Sequence, residues 1–387
     1  MRLLPFDYAF RNIGRRPLRS ALAAISGALV AAVLVASAAF VQGLETANLG
    51  AAPPRTGILL ASSAQRDLVR SAISPATGNF AAADVRGVAR INGEAAVSPE
   101  IHMASNVRLK KLGTSVYPAF LRGITNRAFL VHDRVTITKG RPPLSGEIAI
   151  GKLVADKMGL SRDDINLGDT IMIEGGPFTV SGIFSAPGTT VESEIWVPLD
   201  ELKGLAKRDD ISCVFVKVES DDDLAELDLF SKRRLDLELS FISASDYYQE
   251  LASLFDPLKV LAWIMAGMIG IAAVFGGANT LNAAVQDRIR ELATLRALGY
   301  SGFALALSLA QEALLFSAIG GLLGLFVAKL AVARATVNLA MTAFALEVDG
   351  TAVVIGFMGV LAVALMGTIP AAIRVMRLPI ATALKED

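Results

Sequence analysis

Four long stretches of this chain are almost free of charged residues. Uncharged runs cover residues 20–44, 260–286 and 351–373, and residues 300–328 contain a single charge, Glu312. A helix needs about 20 mostly apolar residues to cross the ~30 Å hydrocarbon core of a bilayer, and each run is long enough. The pattern therefore predicts transmembrane helices at residues 20–44, 259–286, 300–328 and 351–373.

The first run follows a basic stretch, as the apolar part of a secretory signal does. Its 25 uncharged residues exceed the about 7–15 residues of a cleaved signal, so we interpret it as a retained helix. Residues 335–346 are also uncharged but too short to span. We expect them at the membrane interface or within an external connection formed by residues 329–350.

The polar region between the first two predicted helices, residues 45–258, is long enough to fold with its own core. Period-2 apolar alternation predicts strands, and acidic residues suit a helix start. Predicted strands lie at 147–151, 212–219 and, as a hairpin around a Gly-Gly-Pro turn, 170–184; predicted helices lie at 152–158, at 246–255 and after 221–223. The predicted fold class is thus a membrane α-helical protein with a large α+β extracytoplasmic domain inserted between helices one and two.

Composition and charge support a membrane protein and predict its orientation. Hydrophobic residues make up 53% of the chain and charged residues 19%, whereas soluble domains average roughly 45–50% and about 25%. Zero formal net charge argues against nucleic-acid binding. Arg residues concentrate in the N-terminal amphipathic segment 1–19, in residues 287–299 and in the tail 374–387. Because short Arg-rich flanks mark the cytoplasmic side, we predict cytoplasmic termini and an external domain at 45–258.

Sequence motifs for catalysis or metal binding are weak. Residues 146–153 nearly match a phosphate-binding loop, but Leu153 replaces the Ser or Thr that holds Mg²⁺. Cys213 is the single cysteine. His102 and His132 are the only histidines, and for them a surface or partly buried structural role is favoured over metal ligation. We expect no enzyme activity, no cofactor and no metal in this chain.

Polar and small residues within the predicted membrane helices suggest contacts between helices. A carboxylate inside a membrane helix is costly, so Glu312 is expected to face a partner, for which Asn279 and Asn282 are candidates. The pair would either change between states or serve as static contact between helices. Close helix approach is predicted at small residues: Gly320, Gly321 and Gly324 in the third helix, and Gly267, Gly270, Gly276 and Gly277 in the second.

The connection at residues 287–299 predicts a short amphipathic helix that stops at Gly299. At 100° per residue, Ile289, Leu292 and Ala293 share one side. Leu295 and Leu298 lie outside that side and leave apolar surface. From these properties alone, docking of a partner protein and lying on the lipid surface are equally supported.

Several motifs together resemble the MacB/FtsX-like permeases of ABC transporters, and the resemblance covers nearly the whole chain. The strongest is GANTLNAAVQDRIRELATLRALG at residues 277–299, followed by Glu312 and the downstream glycines. Other matching segments lie at 11–19, 140–147, 168–169, 196–199, 370–374 and 379–384. The chain shows no fused ATPase domain, and its external domain is larger than that of cell-division FtsX, which favours exporter or lipoprotein-releasing relatives.

This resemblance implies a bacterial inner-membrane permease that pairs with a second permease subunit, identical or related, and recruits two cytoplasmic ATPase subunits. ATP and Mg²⁺ would bind to those ATPase subunits, and a periplasmic adaptor and membrane lipids are further implied partners. Residues assigned to ATPase coupling are Arg288, Ile289, Arg290, Glu291, Leu292, Arg296 and Gly299. The expected function is export or release of a substrate by mechanotransmission. The alternative is an FtsX-like regulator that activates an envelope enzyme or sensor without transport.

Overall fold

The computed structural model describes residues 17–332, 335–339 and 342–377. Its helices are α1 (Pro17–Leu49), α2 (Thr77–Asp84), α3 (Ala128–Val131), α4 (Val154–Lys157), α5 (Leu199–Ala206), α6 (Leu224–Arg233), α7 (Ala244–Ser253), α8 (Asp256–Gln286), α9 (Ile289–Ala297), α10 (Gly302–Val332) and α11 (Gly350–Met376). The N-terminal residues 1–16 and the predicted motif at 379–384 lie outside the described residues.

The strands follow the same chain order. They are β1 (Thr56–Ala61), β2 (Arg90–Ile91), β3 (Glu94–Ala95), β4 (Val97–Leu109), β5 (Tyr117–Ile124), β6 (Thr136–Gly140), β7 (Glu147–Gly151), β8 (Thr170–Ile173), β9 (Gly176–Ser185), β10 (Ile195–Pro198), β11 (Cys213–Lys217), β12 (Leu239–Ser243), β13 (Thr336–Leu339) and β14 (Thr342–Ala345).

The chain divides into two compact units. One, here called the membrane unit, contains α1 up to Gln42 together with α8 to α11. The other, here called the inserted domain, comprises Gly43–Asp256 and, from a distant part of the sequence, Thr336–Ala345.

Four helices of the described chain, α1, α8, α10 and α11, are long and apolar enough to cross a membrane. They have 33, 31, 31 and 27 residues, and at 1.5 Å per residue each is about 40 Å or longer. Each helix extends beyond the predicted apolar run at one end or both. The reason is that backbone hydrogen bonding continues through polar residues outside the hydrocarbon thickness.

Glycine allows close helix packing within the membrane unit. A methyl group on Gly324 would lie 2.3 Å from the Ala28 carbonyl oxygen, and one on Gly320 would lie 2.4 Å from that of Ala24, so α1 and α10 touch through their backbones. A methyl on Gly321 would meet Val360 of α11 at 3.0 Å. The glycines of α8 differ, because a methyl on Gly267, Gly276 or Gly277 would meet no atom within 4 Å, and one on Gly270 only a side chain at 3.9 Å. Close packing of α8 is instead seen from α11, because a methyl group on Gly367 would lie 3.3 Å from the Val274 carbonyl oxygen and 3.7 Å from the carbonyl carbon of Gly277.

A mixed sheet forms the centre of the inserted domain. Its ten strands run in the order β12-β1-β11-β4-β5-β10-β7-β9-β6, with β8 paired to both β4 and β9. The β5–β10 and β7–β9 pairs are parallel, and the other pairs are antiparallel. The long strand β4 joins the two halves, because it pairs with β11 through residues 97–100 and with β5 through residues 101–107.

The predicted hairpin at 170–184 forms as β8 and β9, but its turn is shifted. Glu174 and Gly175 occupy the two-residue loop, both with positive φ, at 47° and 86°. Such a turn needs left-handed residues at both positions, which Pro177 cannot supply. The other predicted strands match β7 and β11, whereas the predicted helix at 152–158 contracts to the four residues of α4.

The uncharged segment 335–346 contains a second hairpin. Strands β13 and β14 pair in register from Thr336↔Ala345 to Leu339↔Thr342. Within it, Ala343 is 0% exposed and Phe344 2% exposed. Thus the connection between α10 and α11 packs as part of the inserted domain.

Candidate functional site

The predicted coupling segment forms the short helix α9, and its end shows why the chain turns there. Gly299 has φ +92°, a conformation that suits glycine. Its N–H donates to the Arg296 carbonyl at 3.0 Å, and the Tyr300 N–H donates to the Leu295 carbonyl at 3.2 Å. The helix therefore ends in a hydrogen-bonded turn just before α10 begins.

One side of α9 is anchored in an apolar cluster. Leu292 is 6% exposed and Ala293 0% exposed. Leu292 packs with residues from the ends of α8, α10 and α11: Val285, Leu305, Leu309, Ala371 and Val375. Ile289 and Leu295 are partly buried against these clusters.

The opposite side of α9 is accessible within this chain. Arg290 and Glu291 are exposed, and Leu298, just after the helix, is 65% exposed. Of the two leucines predicted to leave apolar surface, Leu298 does so fully, whereas Leu295 contributes to the cluster. A charged pair beside one exposed leucine is thus the surface that α9 offers.

The membrane carboxylate Glu312 has a charged partner. Its Oε2 lies 3.3 Å from Nη1 of Arg288, and the two side chains are only 14% and 10% exposed. Of the two predicted partners, Asn279 is exposed and Asn282 is partly buried. An ion pair lowers the cost of a carboxylate in this setting, as expected for charges within membrane helices. Arg288 is thus an internal residue of the site rather than part of its outer surface.

Arg296 ties α9 to the end of α11. Its Nη1 donates to the Met376 carbonyl at 3.3 Å. Together with the apolar cluster and the Arg288–Glu312 pair, this contact joins α9 to the ends of α8, α10 and α11. The short helix α9 is therefore attached to three of the long apolar helices at once.

The inserted domain contains a buried ionic network that we did not predict from the sequence. Arg122 donates through Nε and Nη2 to Glu194 at 2.6 and 2.7 Å, and through Nη1 to Glu100 at 2.7 Å. Arg122 is 2% exposed, Glu100 0% and Glu194 5%. One guanidinium thus bridges two buried carboxylates.

Both histidines of the chain belong to this network. His132 Nε2 lies 2.7 Å from Glu100 Oε1, and His102 Nε2 lies 3.2 Å from Glu100 Oε2. Trp196 donates its indole N–H to Glu194 at 2.9 Å. Each histidine is 3% exposed, so both are structural residues of the core, more deeply buried than the surface or partly buried positions we predicted.

Strand register brings these residues together. His102 of β4 lies directly opposite Arg122 of β5, and Arg122 lies opposite Trp196 of β10. Glu100 lies two residues before His102, and Glu194 lies two residues before Trp196. Because side chains alternate along a strand, both carboxylates lie on the face of the sheet that carries His102, Arg122 and Trp196. Residues of opposite faces, such as Ile101 and Leu121, enter the apolar core.

The network shifts the acidity of its members. Burial alone would raise the pKa of Glu100, but the attraction of His132 and Arg122 outweighs it and holds that pKa well below its ordinary value. Burial, assisted by the charge of Arg122, lowers the pKa of His102. Burial raises the pKa of Tyr248 to about 12 and that of the Cys213 thiol well above its usual range. Cys213 is therefore an unreactive thiol rather than a nucleophile.

Glu100, His102 and Cys213 place ligand-type atoms within 4.8 Å of one another. The arrangement does not suit a metal ion, because the Arg122 guanidinium already lies 2.7 Å from Glu100 Oε2, the carboxylate oxygen that also contacts His102. A second cation beside it would be repelled. These residues fit an ionic core and do not fit a metal centre.

The segment resembling a phosphate-binding loop has a structural role. Residues 147–151 form β7, and Leu153 is 2% exposed. The Gly151 N–H donates to the Glu194 carbonyl at 2.9 Å. This strand supports β10, which carries Trp196 and begins directly after Glu194.

The fold and the two sites define a class: a membrane protein whose apolar helices carry a large mixed α/β domain inserted after the first. Residues 20–228 match the MacB-like periplasmic core domain, and residues 263–380 match the FtsX-like permease C-terminal domain. The chain belongs to the MacB/FtsX-like family of ABC transporter permeases.

Individual proteins that resemble this chain share less than a quarter of their residues with it over the aligned region. The chain is 23% identical over 290 residues to a protein described as the uncharacterized ABC transporter permease YknZ of Bacillus subtilis (strain 168), which covers 70% of this chain and 71% of that protein. The crystal structure of the periplasmic region of MacB from Actinobacillus actinomycetemcomitans aligns with a TM-score of 0.40 and 14% identity, covering 52% of this chain and 94% of that one. The extracellular domain of the transporter YknZ from Gram-positive bacteria aligns with a TM-score of 0.37 and 20% identity, covering 48% and 97%.

Proposed function

We propose that this chain is the membrane subunit of an ABC transporter in which a separate cytoplasmic ATPase drives movement of the inserted domain. In this proposal α9 is the docking element, and two ATPase subunits serve a pair of permease subunits. The inserted domain lies outside the cytoplasmic membrane, with both termini inside. Its movement exports or releases a substrate by mechanotransmission.

The observation that carries this proposal is the two-sided character of α9. Its outer side offers Arg290, Glu291 and the exposed Leu298, which suit contact with a partner surface. Its inner side is fixed by Leu292 and by the Arg288–Glu312 pair. A helix that is exposed on one side and anchored on the other converts partner movement into movement of the membrane helices.

Charge reversal on the outer side tests the assignment. We expect Arg290→Glu combined with Glu291→Arg to insert into the membrane normally, because both side chains are exposed within this chain. Stimulation of the copurified ATPase should fall at least about tenfold, which corresponds to a loss of about 1.4 kcal/mol at the docking surface. The measurement is ATP hydrolysis by the reconstituted complex, normalised to inserted permease.

The matched control reverses an exposed pair in the inserted domain, Asp228→Lys with Lys232→Asp, whose atoms lie 2.6 Å apart. This variant should leave ATPase stimulation unchanged. If the Arg290 and Glu291 reversal also leaves stimulation unchanged, α9 is not the docking element.

Transport itself needs a separate measurement. Purification of the native complex should yield both the ATPase subunit and a carried molecule that is released on ATP addition. If the complex hydrolyses ATP but releases nothing, while the inserted domain captures and activates an envelope enzyme, the regulatory function replaces transport.

A further inference from the structure

The hairpin β13–β14 is held in the inserted domain by a specific contact. The Ala343 N–H donates to Ser193 Oγ at 3.0 Å, and the Ser193 hydroxyl in turn donates to the Thr190 carbonyl at 2.8 Å. Strand β14 lies against residues 190–193 and against α4. Since Ala343 and Phe344 are buried as well, the hairpin is seated in the domain and does not project from it.

The geometry of the hairpin leaves this donor available. Ala343 is paired with Asn338, one position away from the Leu339↔Thr342 pair that closes the hairpin. In antiparallel ladders, hydrogen-bonded and non-hydrogen-bonded pairs alternate. The Ala343 N–H points outward from the two-stranded ladder and is satisfied by Ser193.

The seat of the hairpin is continuous with the ionic network. Ser193 is followed directly by Glu194, both of whose carboxylate oxygens accept from Arg122. Glu192, on the other side of Ser193, accepts from the Ser185 hydroxyl at 2.6 Å. The residues under the hairpin are therefore held on both sides by buried hydrogen bonds.

The two other connections of the domain reach the same network. After α1 ends at Leu49, the Gly50 carbonyl accepts from Arg134 Nη1 at 3.0 Å, two residues beyond His132. On α7, the last helix before α8, Tyr248 is buried in the same apolar cluster as Trp196, which donates to Glu194. All three chain connections that lead to the long apolar helices are thus fixed at, or next to, one ionic cluster.

We propose that the hairpin acts as a strap: a third attachment that, with the Glu100–Arg122–Glu194 network, makes the domain follow α10 and α11 as well as α1 and α8. The inference rests on the proposed function. If the domain were attached only through α1 and α8, it could rotate about these two connections. The hairpin β13–β14 is a third attachment, and its burial and its hydrogen bond to Ser193 restrain that rotation. The strap remains seated throughout the nucleotide cycle.

The test detaches the strap and then restores it by a covalent bond. Phe344→Ala removes the buried aromatic ring. Ser193→Cys with Ala343→Cys, in a Cys213→Ala background, allows a disulfide across the same contact. Asn338→Ala is the matched control, since Asn338 is exposed on the same hairpin. Hydrogen–deuterium exchange of the full complex is measured with and without ATP and vanadate.

In the parent protein we expect hairpin amides to be protected, and peptides of residues 43–256 to change their exchange when nucleotide is trapped. Phe344→Ala should speed hairpin exchange at least tenfold and abolish the nucleotide-dependent change in the domain, while ATPase stimulation persists. Oxidation of the double-cysteine form of Phe344→Ala should restore the change, and reduction should remove it again.

Any of three results would contradict the strap hypothesis. The hairpin amides could exchange rapidly in the parent protein, or Phe344→Ala could leave the nucleotide-dependent exchange change of the domain unaltered. The disulfide could also block that exchange change instead of restoring it. Failure of the proposed function is distinguishable, because it would appear as absent ATPase stimulation in the parent complex whatever the state of the hairpin.

Discussion

The inserted domain and the membrane unit are each stabilised by a different kind of internal contact. In the domain, charged side chains lie at the centre: Arg122 joins two carboxylates, and each of the three residues is at most 5% exposed. In the membrane unit, close contact between α1 and α10 depends on the missing side chains of Gly320 and Gly324. The ion pair joins Arg288, which lies between α8 and α9, to Glu312 within α10.

This difference teaches where each unit should be sensitive to substitution. Buried charges are stable only as a complete set, because removal of one partner leaves the others desolvated and unpaired. Backbone contact between helices depends on space, because even one methyl group has no room. The inserted domain should therefore be destabilised most by substitutions that remove a buried charge. The membrane unit should be destabilised most by substitutions that enlarge a glycine at a helix contact.

The largest expected effect follows removal of the Arg122 charge. Arg122→Met should destabilise the inserted domain by about 3–5 kcal/mol, since two buried carboxylates lose their shared partner. Urea unfolding followed by the fluorescence of Trp196, which donates to Glu194, would measure this change in a Trp263→Phe background. The control Arg162→Met, which removes a half-exposed partner of Asp156, should leave the midpoint nearly unchanged. Equal midpoints for Arg122→Met and the parent would show that the network contributes no net stability.

The second effect concerns volume in the membrane unit. Gly324→Ala should cost about 1–3 kcal/mol, because its methyl group would overlap the Ala28 carbonyl and overpacking forces backbone shifts. Gly276→Ala should be neutral or slightly stabilising, since its methyl group meets no atom within 4 Å and alanine favours helix. Thermal denaturation in detergent compares the two. Equal losses for both variants would contradict glycine-dependent packing of α1 against α10.

The smallest expected effect is the response of the domain to pH. The pKa of His102 is lowered by burial and by Arg122, so below its ordinary pKa of about 6.5 the unfolded chain binds more protons than the folded one. Stability should therefore fall as pH drops from about 6.5, by at most about 1.4 kcal/mol per pH unit for this single group.

Glu100 acts in the same direction at lower pH. Its pKa is lowered in the fold, so its contribution is complete above its ordinary value of about 4.3 and is lost as pH falls through the folded value. Unfolding midpoints between about pH 7.5 and about pH 2.5 would show both phases. His102→Gln should flatten the upper phase, and a domain that gains stability on acidification would contradict the assignment.

Much of the fold follows from local pattern. The four long helices, the hairpin β8–β9 and the strands β7 and β11 form where apolar periodicity predicts them. The turn lies at Glu174–Gly175, one residue before the predicted Gly-Gly-Pro position. Its place is determined by the register of the paired strands rather than by the Gly-Gly-Pro composition. Hairpin β13–β14 was not predicted, since a short uncharged segment carries no signal of what it packs against.

The candidate site divides in the same way. The two faces of α9 follow from a 3.6-residue period, and Leu292 and Ala293 are buried as that period indicates. The contact of Glu312 with Arg288 was not predicted, because the two residues are 24 positions apart and meet only through the fold of the segment between α8 and α10. The ionic network could have been suspected from Glu100 and His102, two polar residues at alternate positions of β4 on either side of the apolar Ile101.

The sequence alone determined properties that depend on neighbouring residues: which segments are apolar enough to span a bilayer, where the short amphipathic helix lies, and the family motifs. The tertiary structure decided which distant residues meet. Glu100, Arg122 and Glu194 are brought together by strand register, and Ala343 meets Ser193 across 150 positions of chain. The reason is that hydrophobic periodicity acts within a few residues, whereas a buried charge is compensated only by whichever group the folded chain places beside it.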